Sequence, residues 1–344
     1  MSNKVIFIGG IGKKKEFGGE LTKNKYIITR LEELGKTVIS VDTYQSRRKP
    51  WKLWKLPFVL LVYPKSTLIL SSSLGNIYYI IKFLYYVRLK KNVIYWGIGG
   101  IFAERIKNGD FNKKYFNYLK AIFVEGDIMK DALFEIGIKN VVTMHNFKKI
   151  EYIPEKKYGS NEIIKFVFLS RILPVKGVDY IIEATKILNA DGYSNKFIVD
   201  FYGRIEPSYK ENFLNNVSSI SNINYSGTLD LSINKDIDKL ASYDIMLFPT
   251  YSKSEGFPGV VISAYISGLP IIASDWNLNK EFIIDKETGI IIPTHSIEIL
   301  YKSMVDLIQN PEQIINMSKI CQSKVREFDL NTIITDEFIS SFKI

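Results

Sequence analysis

Short apolar runs alternate with longer amphipathic segments along the whole chain, and this alternation constrains the fold more than any other feature. A brief apolar run bounded by turn residues reads as a buried strand. The segment after it, with apolar positions three and four apart, reads as a helix. Strands alternating with helices build parallel sheets covered on both faces. In the first half, strands are expected at Val5–Ile8, Thr37–Val41, Thr67–Leu70, Val93–Trp96, Ile122–Val124 and Val141–Met144, with a helix from about Gly19 to Leu34 closed by Gly35. In the second half they are expected at Ile164–Leu169, Phe197–Phe201, Ile223–Tyr225, Ile245–Phe248, Ile271–Ala273 and Ile290–Ile292. Helices fit near Gly177–Leu188, Tyr209–Val217, Lys235–Ala241 and Pro258–Ser267. The polar stretch Lys148–Ser160, with Pro154 and Gly159, has linker chemistry. The expected division is therefore a domain of residues 1–150 and a domain of residues 160–328. Residues 329–344 read as one further helix, expected to pack back on the first domain. Two doubly wound domains of this kind turn the carboxyl ends of their strands toward a crevice, where such sheets bind ligands.

At 344 residues the chain is long enough for two ordinary cores. A single cysteine, Cys321, excludes an internal disulfide framework and fits a reducing compartment. Two histidines, His145 and His295, leave little for a His-rich metal site or a Ser-His-Asp triad. The apolar run at Val5–Ile8 is too short for a signal peptide. Phe58–Tyr63 and Leu74–Val87 are too short or too interrupted to span a bilayer, so a cytoplasmic protein is expected. The net charge of +10 is unevenly placed: residues 1–150 hold 27 Lys and Arg against 11 Asp and Glu, and no acid occurs between Asp42 and Glu104. Such asymmetry points to an anionic surface that the first half meets.

Four loops at strand ends carry candidate chemistry. Ser170-Arg171-Ile172-Leu173-Pro174-Val175-Lys176-Gly177 lies between a strand and a helix. There Arg171 can fork onto phosphate oxygens, and Lys176 adds charge at a helix start whose own N–H groups favour anions. Glu255-Gly256-Phe257-Pro258-Gly259-Val260 follows the strand at Ile245–Phe248. Glu255 can accept hydrogen bonds from sugar hydroxyls, Gly256 and Gly259 allow a ligand close to the backbone, and Pro258 suits a first helical turn. Glu255 as simple charge complementarity at a helix end is the competing reading. The glycines at 9, 10 and 12, with Phe17-Gly18-Gly19, could cradle a phosphate but match no P-loop. Gly97-Ile98-Gly99-Gly100, after another strand, is a similar crevice loop.

Taken together, these pieces resemble the family 4 glycosyltransferases, retaining enzymes of GT-B fold. The matching segments occur in family order over about residues 163–295: Phe168-Leu169-Ser170-Arg171 with Pro174 to Gly177, Phe201-Tyr202-Gly203, Ile223 to Gly227, Asp244 to Pro249, Glu255 to Pro258, Ser267 to Ser274 and Thr288-Gly289. The first half resembles the family more loosely, through its Gly-Gly loop and Asn146-Phe147. The resemblance implies that Arg171 and Lys176 grip the donor diphosphate and that Glu255 binds the donor sugar. It implies that the backbone at Phe257, Pro258, Gly259 and Val260 contacts sugar and phosphate, that Gly18 or Gly19 approaches the phosphate, and that Gly203 and Gly227 line the nucleotide pocket. Where the family usually has a second glutamate for the ribose, this chain has Ser263. The first-domain histidine of many family members is missing; its loop corresponds to Trp96-Gly97-Ile98-Gly99-Gly100, so the resemblance puts Gly99 and Gly100 on the acceptor side, and His145 is read as packing. The resemblance implies a sugar moved from a nucleoside diphosphate sugar, such as a UDP-sugar, to a lipid-linked saccharide in capsule, O-antigen or exopolysaccharide synthesis, with no metal or other cofactor. A nucleotide-sugar epimerase of the same fold, or a non-catalytic binding subunit suggested by Ser263, are the alternatives.

Arg47-Arg48-Lys49-Pro50-Trp51-Lys52-Leu53-Trp54-Lys55 interleaves cations with tryptophans. Trp favours lipid headgroups and Lys and Arg favour anionic lipid, so these residues are expected to contact the inner face of the membrane. A solvated loop with two core tryptophans is the alternative; no nucleic-acid fold signature accompanies the charge.

Overall fold

The computed structural model describes residues 3–13, 18–46, 48–88, 92–156 and 163–344. The chain forms two compact units: Met1–Lys149 with Ser254–Phe257 and Glu327–Ile344, and Ile150–Lys253 with Pro258–Arg326.

The first unit is a six-stranded sheet of β1 (Lys4–Gly9), β2 (Thr37–Asp42), β3 (Thr67–Ser72), β4 (Val93–Gly97), β5 (Ala121–Val124) and β6 (Val141–Thr143) in the order β2-β1-β3-β4-β5-β6. Every neighbouring pair is parallel. The connecting helices are α1 (Gly19–Glu33), α2 (Lys55–Val62), α3 (Leu74–Val87), α4 (Phe102–Lys107) and α5 (Asp127–Glu135). The inner strands β1, β3, β4 and β5 are buried on both faces because both faces are covered, whereas the edge strand β2 is partly exposed. One face packs Val5, Phe7, Ile69, Ile94, Trp96 and Phe123 against Ile27 and Leu31 of α1 and against Leu330, Ile334, Ile339 and Ile344 of the tail. Each strand expected from the sequence is present, with ends shifted by a residue or two.

The second unit repeats the plan with β7 (Ile164–Leu169), β8 (Phe197–Tyr202), β9 (Ile223–Tyr225), β10 (Ile245–Phe248), β11 (Ile271–Ser274) and β12 (Gly289–Ile292). Their order is β12-β11-β10-β7-β8-β9, again all parallel. The helices are α6 (Val178–Ala190), α7 (Lys210–Ser218), α8 (Asn234–Ala241), α9 (Gly259–Ile266), α10 (Asn279–Phe282), α11 (Ile297–Gln309) and α12 (Pro311–Lys324). Strand order reverses between β7 and β10, so the loops leaving these two strands diverge and open a ligand-binding position at the sheet's carboxyl edge.

One expectation and one alternative need correction. The tail is two short helices, α13 (Leu330–Ile333) and α14 (Asp336–Phe342), not one. Ile334 is extended, and Thr335 restarts the helix by accepting the Phe338 amide on its hydroxyl at 3.2 Å. Around Trp51, the loop with core tryptophans is instead a 3-10 turn, Pro50–Leu53, leading into α2. Trp51 and Trp54 are 63% and 70% exposed. The apolar runs too short for a bilayer are helices α2 and α3, and they leave Phe58, Leu61, Tyr79, Phe83 and Tyr86 exposed. Among the described residues no helix is long and apolar enough to cross a membrane.

Candidate functional site

In the second unit, the loops at the carboxyl ends of β7, β8, β9 and β10 are tied to one another. After β7 the chain is held to the next loop by Ser170 N–H donating to the Tyr202 carbonyl at 3.2 Å and Ile172 N–H to that of Arg204 at 2.9 Å. Gly203 N–H donates to the Gly227 carbonyl at 2.8 Å, and the Tyr225 hydroxyl donates to the Gly203 carbonyl at 3.1 Å. Gly203 has φ +145°, and a Cβ there would lie 1.7 Å from the Ser170 carbonyl oxygen. These bonds fix the start of the loop that bears Arg171. Its guanidinium is exposed, as a group meant for a ligand in solution must be.

Across the switch point, Tyr251 N–H donates to the Val175 carbonyl at 2.9 Å, joining the β10 loop to the β7 loop. Gly177, at φ +78°, packs so closely on Pro249 that a Cβ would meet its carbonyl oxygen at 2.2 Å. That contact sets where α6 begins and therefore where Lys176 sits. Lys176 is only 6% exposed, with its Nζ 6.0 Å from the centre of the Phe248 ring. A cation so placed is well desolvated and acts strongly on a nearby anion. Sequence reasoning missed an aromatic group formed by the β10 loop and α6: Tyr251 lies 4.6 Å from the His295 ring and 5.5 Å from Tyr180 between ring centres, and His295 holds φ +61°.

α9 follows the β10 loop. Pro258 caps it without an N–H of its own, so the amides at its start belong to Gly259 and Val260. Ser263 is 4% exposed and donates its hydroxyl to the Gly259 carbonyl at 3.1 Å. That back-bond occupies the proton expected to serve a ribose.

Glu255 and its neighbours group with the first unit. The expected backbone contact from Phe257 to a ligand is corrected here: its N–H donates to Glu125 Oε2 at 3.0 Å, and its carbonyl accepts from Asn146 Nδ2 at 2.9 Å. Gly256 lacks a side chain because Glu125 fills the space, since a Cβ would lie 2.1 Å from its Oε2. Glu255 itself is half-buried. His145 Nδ1 lies 3.2 Å from the Glu125 carbonyl oxygen, and its ring meets Phe257 edge-on.

In the glycine loop after β1, two amides already have a carboxylate partner. Ile11 and Gly12 donate their amides to Asp42 Oδ1 at 2.9 and 3.3 Å, and Lys52 pairs with the same carboxylate at 2.8 Å. Burial works to raise the Asp42 pKa, but the Lys52 bond and the amides of Ile11, Tyr44 and Gly12 outweigh it and hold the carboxyl below its usual range. Lys52 is thus committed inward. Gly18 and Gly19 lie exposed at the start of α1. The next residue, Glu20, accepts from Ser72 Oγ at 2.6 Å, and burial pushes its carboxyl above the usual range. Phe17 and Arg47 lie outside the described residues. Gly99 sits at φ +96° beside the Ser254 carbonyl, 3.8 Å from where its Cβ would be, and Gly100 follows it half-buried.

Two parallel sheets of this kind define the GT-B class, and a solved structure of HepE from Anabaena in complex with UDP superposes over 98% of both chains with a TM-score of 0.70 at 13% identity. Residues 150–326 match the glycosyl transferases group 1 family, and the chain belongs to that family. The poly(ribitol-phosphate) alpha-N-acetylglucosaminyltransferase of Staphylococcus aureus is 27% identical over 52% of this chain and 35% of its own length. An uncharacterized glycosyltransferase of Methanocaldococcus jannaschii, MJ1069, is 27% identical over 94% of this chain and 84% of its own length. Other curated relatives are matched over about half of their length.

Proposed function

We propose that this protein transfers a sugar from a UDP-sugar to a hydroxyl of a lipid-linked saccharide, with retention of anomeric configuration, during synthesis of capsule, O-antigen or exopolysaccharide. The observation that carries the reading is the arrangement at the second unit's switch point. Arg171 is exposed on a braced loop, and Lys176 is fixed and desolvated at the start of α6. Cleaving a sugar–phosphate bond leaves a diphosphate whose growing charge needs fixed cations, and two of them supply this without a metal. Glu255 takes the donor sugar hydroxyls in this reading, and Gly203 and Gly227 line the nucleotide pocket. The UDP in the Anabaena structure and the polymeric acceptor in the name of the S. aureus relative support the choice of donor and acceptor class.

The first test is a thermal-shift panel of nucleotide sugars, followed by transfer assays that read the anomeric configuration of the product by NMR. A UDP-sugar is expected to stabilise the protein most and to yield a retained linkage. Inverted product overturns the stereochemical reading. Interconversion of the donor sugars themselves indicates an epimerase, and tight binding without turnover a binding subunit. Arg171→Ala and Lys176→Ala are each expected to reduce kcat/KM by about 10-fold, roughly 1.4 kcal/mol. Unchanged kcat/KM in both variants removes the phosphate-grip assignment.

The first unit docks on anionic membrane in this reading. Arg47, Arg48, Lys49 and Lys55 supply charge, while Trp51 and Trp54 enter the headgroup layer. The exposed apolar residues of α2 and α3 extend that surface, in a stretch of chain without a single acid from Thr43 to Ala103. Each exposed cation is worth about 1 kcal/mol near an anionic leaflet. Lys52 is held by Asp42 and is expected to contribute least. Liposome co-sedimentation checks this. Replacing Arg47, Arg48, Lys49 and Lys55 with serine is expected to abolish binding to anionic vesicles, and raising salt toward 1 M to weaken it as the Debye length falls to about 3 Å. Equal binding to neutral and anionic vesicles refutes docking and leaves the transferase reading standing.

A further inference from the structure

Glu125 and Lys23 form an ion pair of 2.7 Å with side chains only 6% and 5% exposed. Lys23 projects from the second turn of α1, and Glu125 follows the last residue of β5. A buried pair is an inefficient way to stabilise a fold, because desolvating two ions costs about as much as their attraction returns. Its retention calls for another explanation, and the remaining contacts supply one. The second carboxylate oxygen of Glu125 accepts the Phe257 N–H at 3.0 Å. Asn146 takes the Phe257 carbonyl at 2.9 Å. Gly256 is pressed against the carboxylate, with no space for a Cβ. Lys23 Nζ also lies 5.7 Å from the centre of the Phe147 ring, beside Asn146. Both polar groups of one backbone residue are therefore clamped by side chains, two positions after Glu255.

We propose that the buried Lys23–Glu125 pair is a positioning device for the Glu255 segment. Lys23 neutralises and orients Glu125. Glu125 and Asn146 then fix the peptide groups on either side of Phe257, and through them the direction in which Glu255 leaves the backbone. Neither Lys23 nor Glu125 touches substrate; they act through Phe257. The functional half of this inference rests on the reading of Glu255 as the donor-sugar ligand. The structural half stands apart from it.

The test uses the full-length protein and two double variants, because removing one partner alone strands a buried charge and risks unfolding. Lys23→Met with Glu125→Leu removes both charges and the acceptor. Lys23→Met with Glu125→Gln removes the charges and restores an acceptor. Hydrogen–deuterium exchange is read on a peptide covering residues 252–260, with β3 and β4 peptides as controls. Turnover and UDP affinity are measured alongside. The Leu variant is expected to exchange the 254–257 amides at least 10-fold faster with unchanged controls. It is also expected to lose at least 10-fold in kcat while UDP affinity stays within about 2-fold. The Gln variant is expected to recover most of both. Unchanged exchange in the Leu variant overturns the clamp. Faster exchange with full kcat overturns its role in placing Glu255. If the wild type turns over no nucleotide sugar, the transferase reading fails, and the exchange result alone decides whether the pair holds the segment.

Discussion

Glu255→Gln is expected to lower kcat by about 100-fold, roughly 2.7 kcal/mol of transition-state stabilisation, in a protein that remains folded and binds UDP normally. A hydrogen bond to a charged group contributes about 1.5–3 kcal/mol, and the proposed contact of this carboxylate with a sugar that gains positive character belongs at the upper end. The amide keeps the shape and removes the charge. Phe257 stays clamped by Glu125 and Asn146, so the substitution leaves the segment in place and isolates the chemistry of the side chain. Steady-state kinetics with the donor that most stabilises the protein, together with calorimetric UDP binding, provide the measurement. Activity within a few-fold of wild type would show that Glu255 only complements a helix end.

Gly203→Ala is expected to destabilise the second unit by about 3 kcal/mol or more. Two costs add. The residue must hold φ +145°, which an L side chain rarely adopts, and its Cβ would lie 1.7 Å from the Ser170 carbonyl oxygen. Relief requires the Ser170–Arg171 peptide to move, so loss of donor affinity accompanies the loss of stability. Gly227→Ala is the matched control: φ is +83°, but nothing lies within 4 Å of its Cβ, so only the backbone cost of about 1 kcal/mol applies. Urea midpoints measured for both variants separate the two terms. Equal, small shifts would mean that the β7 loop yields without cost and does not brace Arg171.

Much of the second unit was legible in the sequence because its signals are local. Strand lengths, the turn residues after each strand and the motif order from Phe168 to Gly289 are written in neighbouring residues, and the parallel sheet follows from them. The helices around Trp54 and Leu84 were harder to see. α2 and α3 are apolar on several sides, so periodicity did not separate a buried face from an exposed one. The break in the tail was also hidden, because its marks, Thr335 and the acids Asp336 and Glu337, are equally at home in a loop or inside one continuous helix.

The pattern of apolar runs, the missing acids from Thr43 to Ala103, and the placing of Arg171, Lys176 and Glu255 after strands were determined by the sequence alone. Tertiary structure decided which polar groups are already spent. Asp42 takes the amides of Ile11 and Gly12, the Ser263 hydroxyl turns to Gly259, and Glu125 claims the Phe257 amide from 132 residues away. Sequence spacing reports which groups a loop carries. A buried donor or acceptor, however, must find a partner wherever the fold brings one within about 3 Å, and that partner is set by packing between segments far apart in the chain.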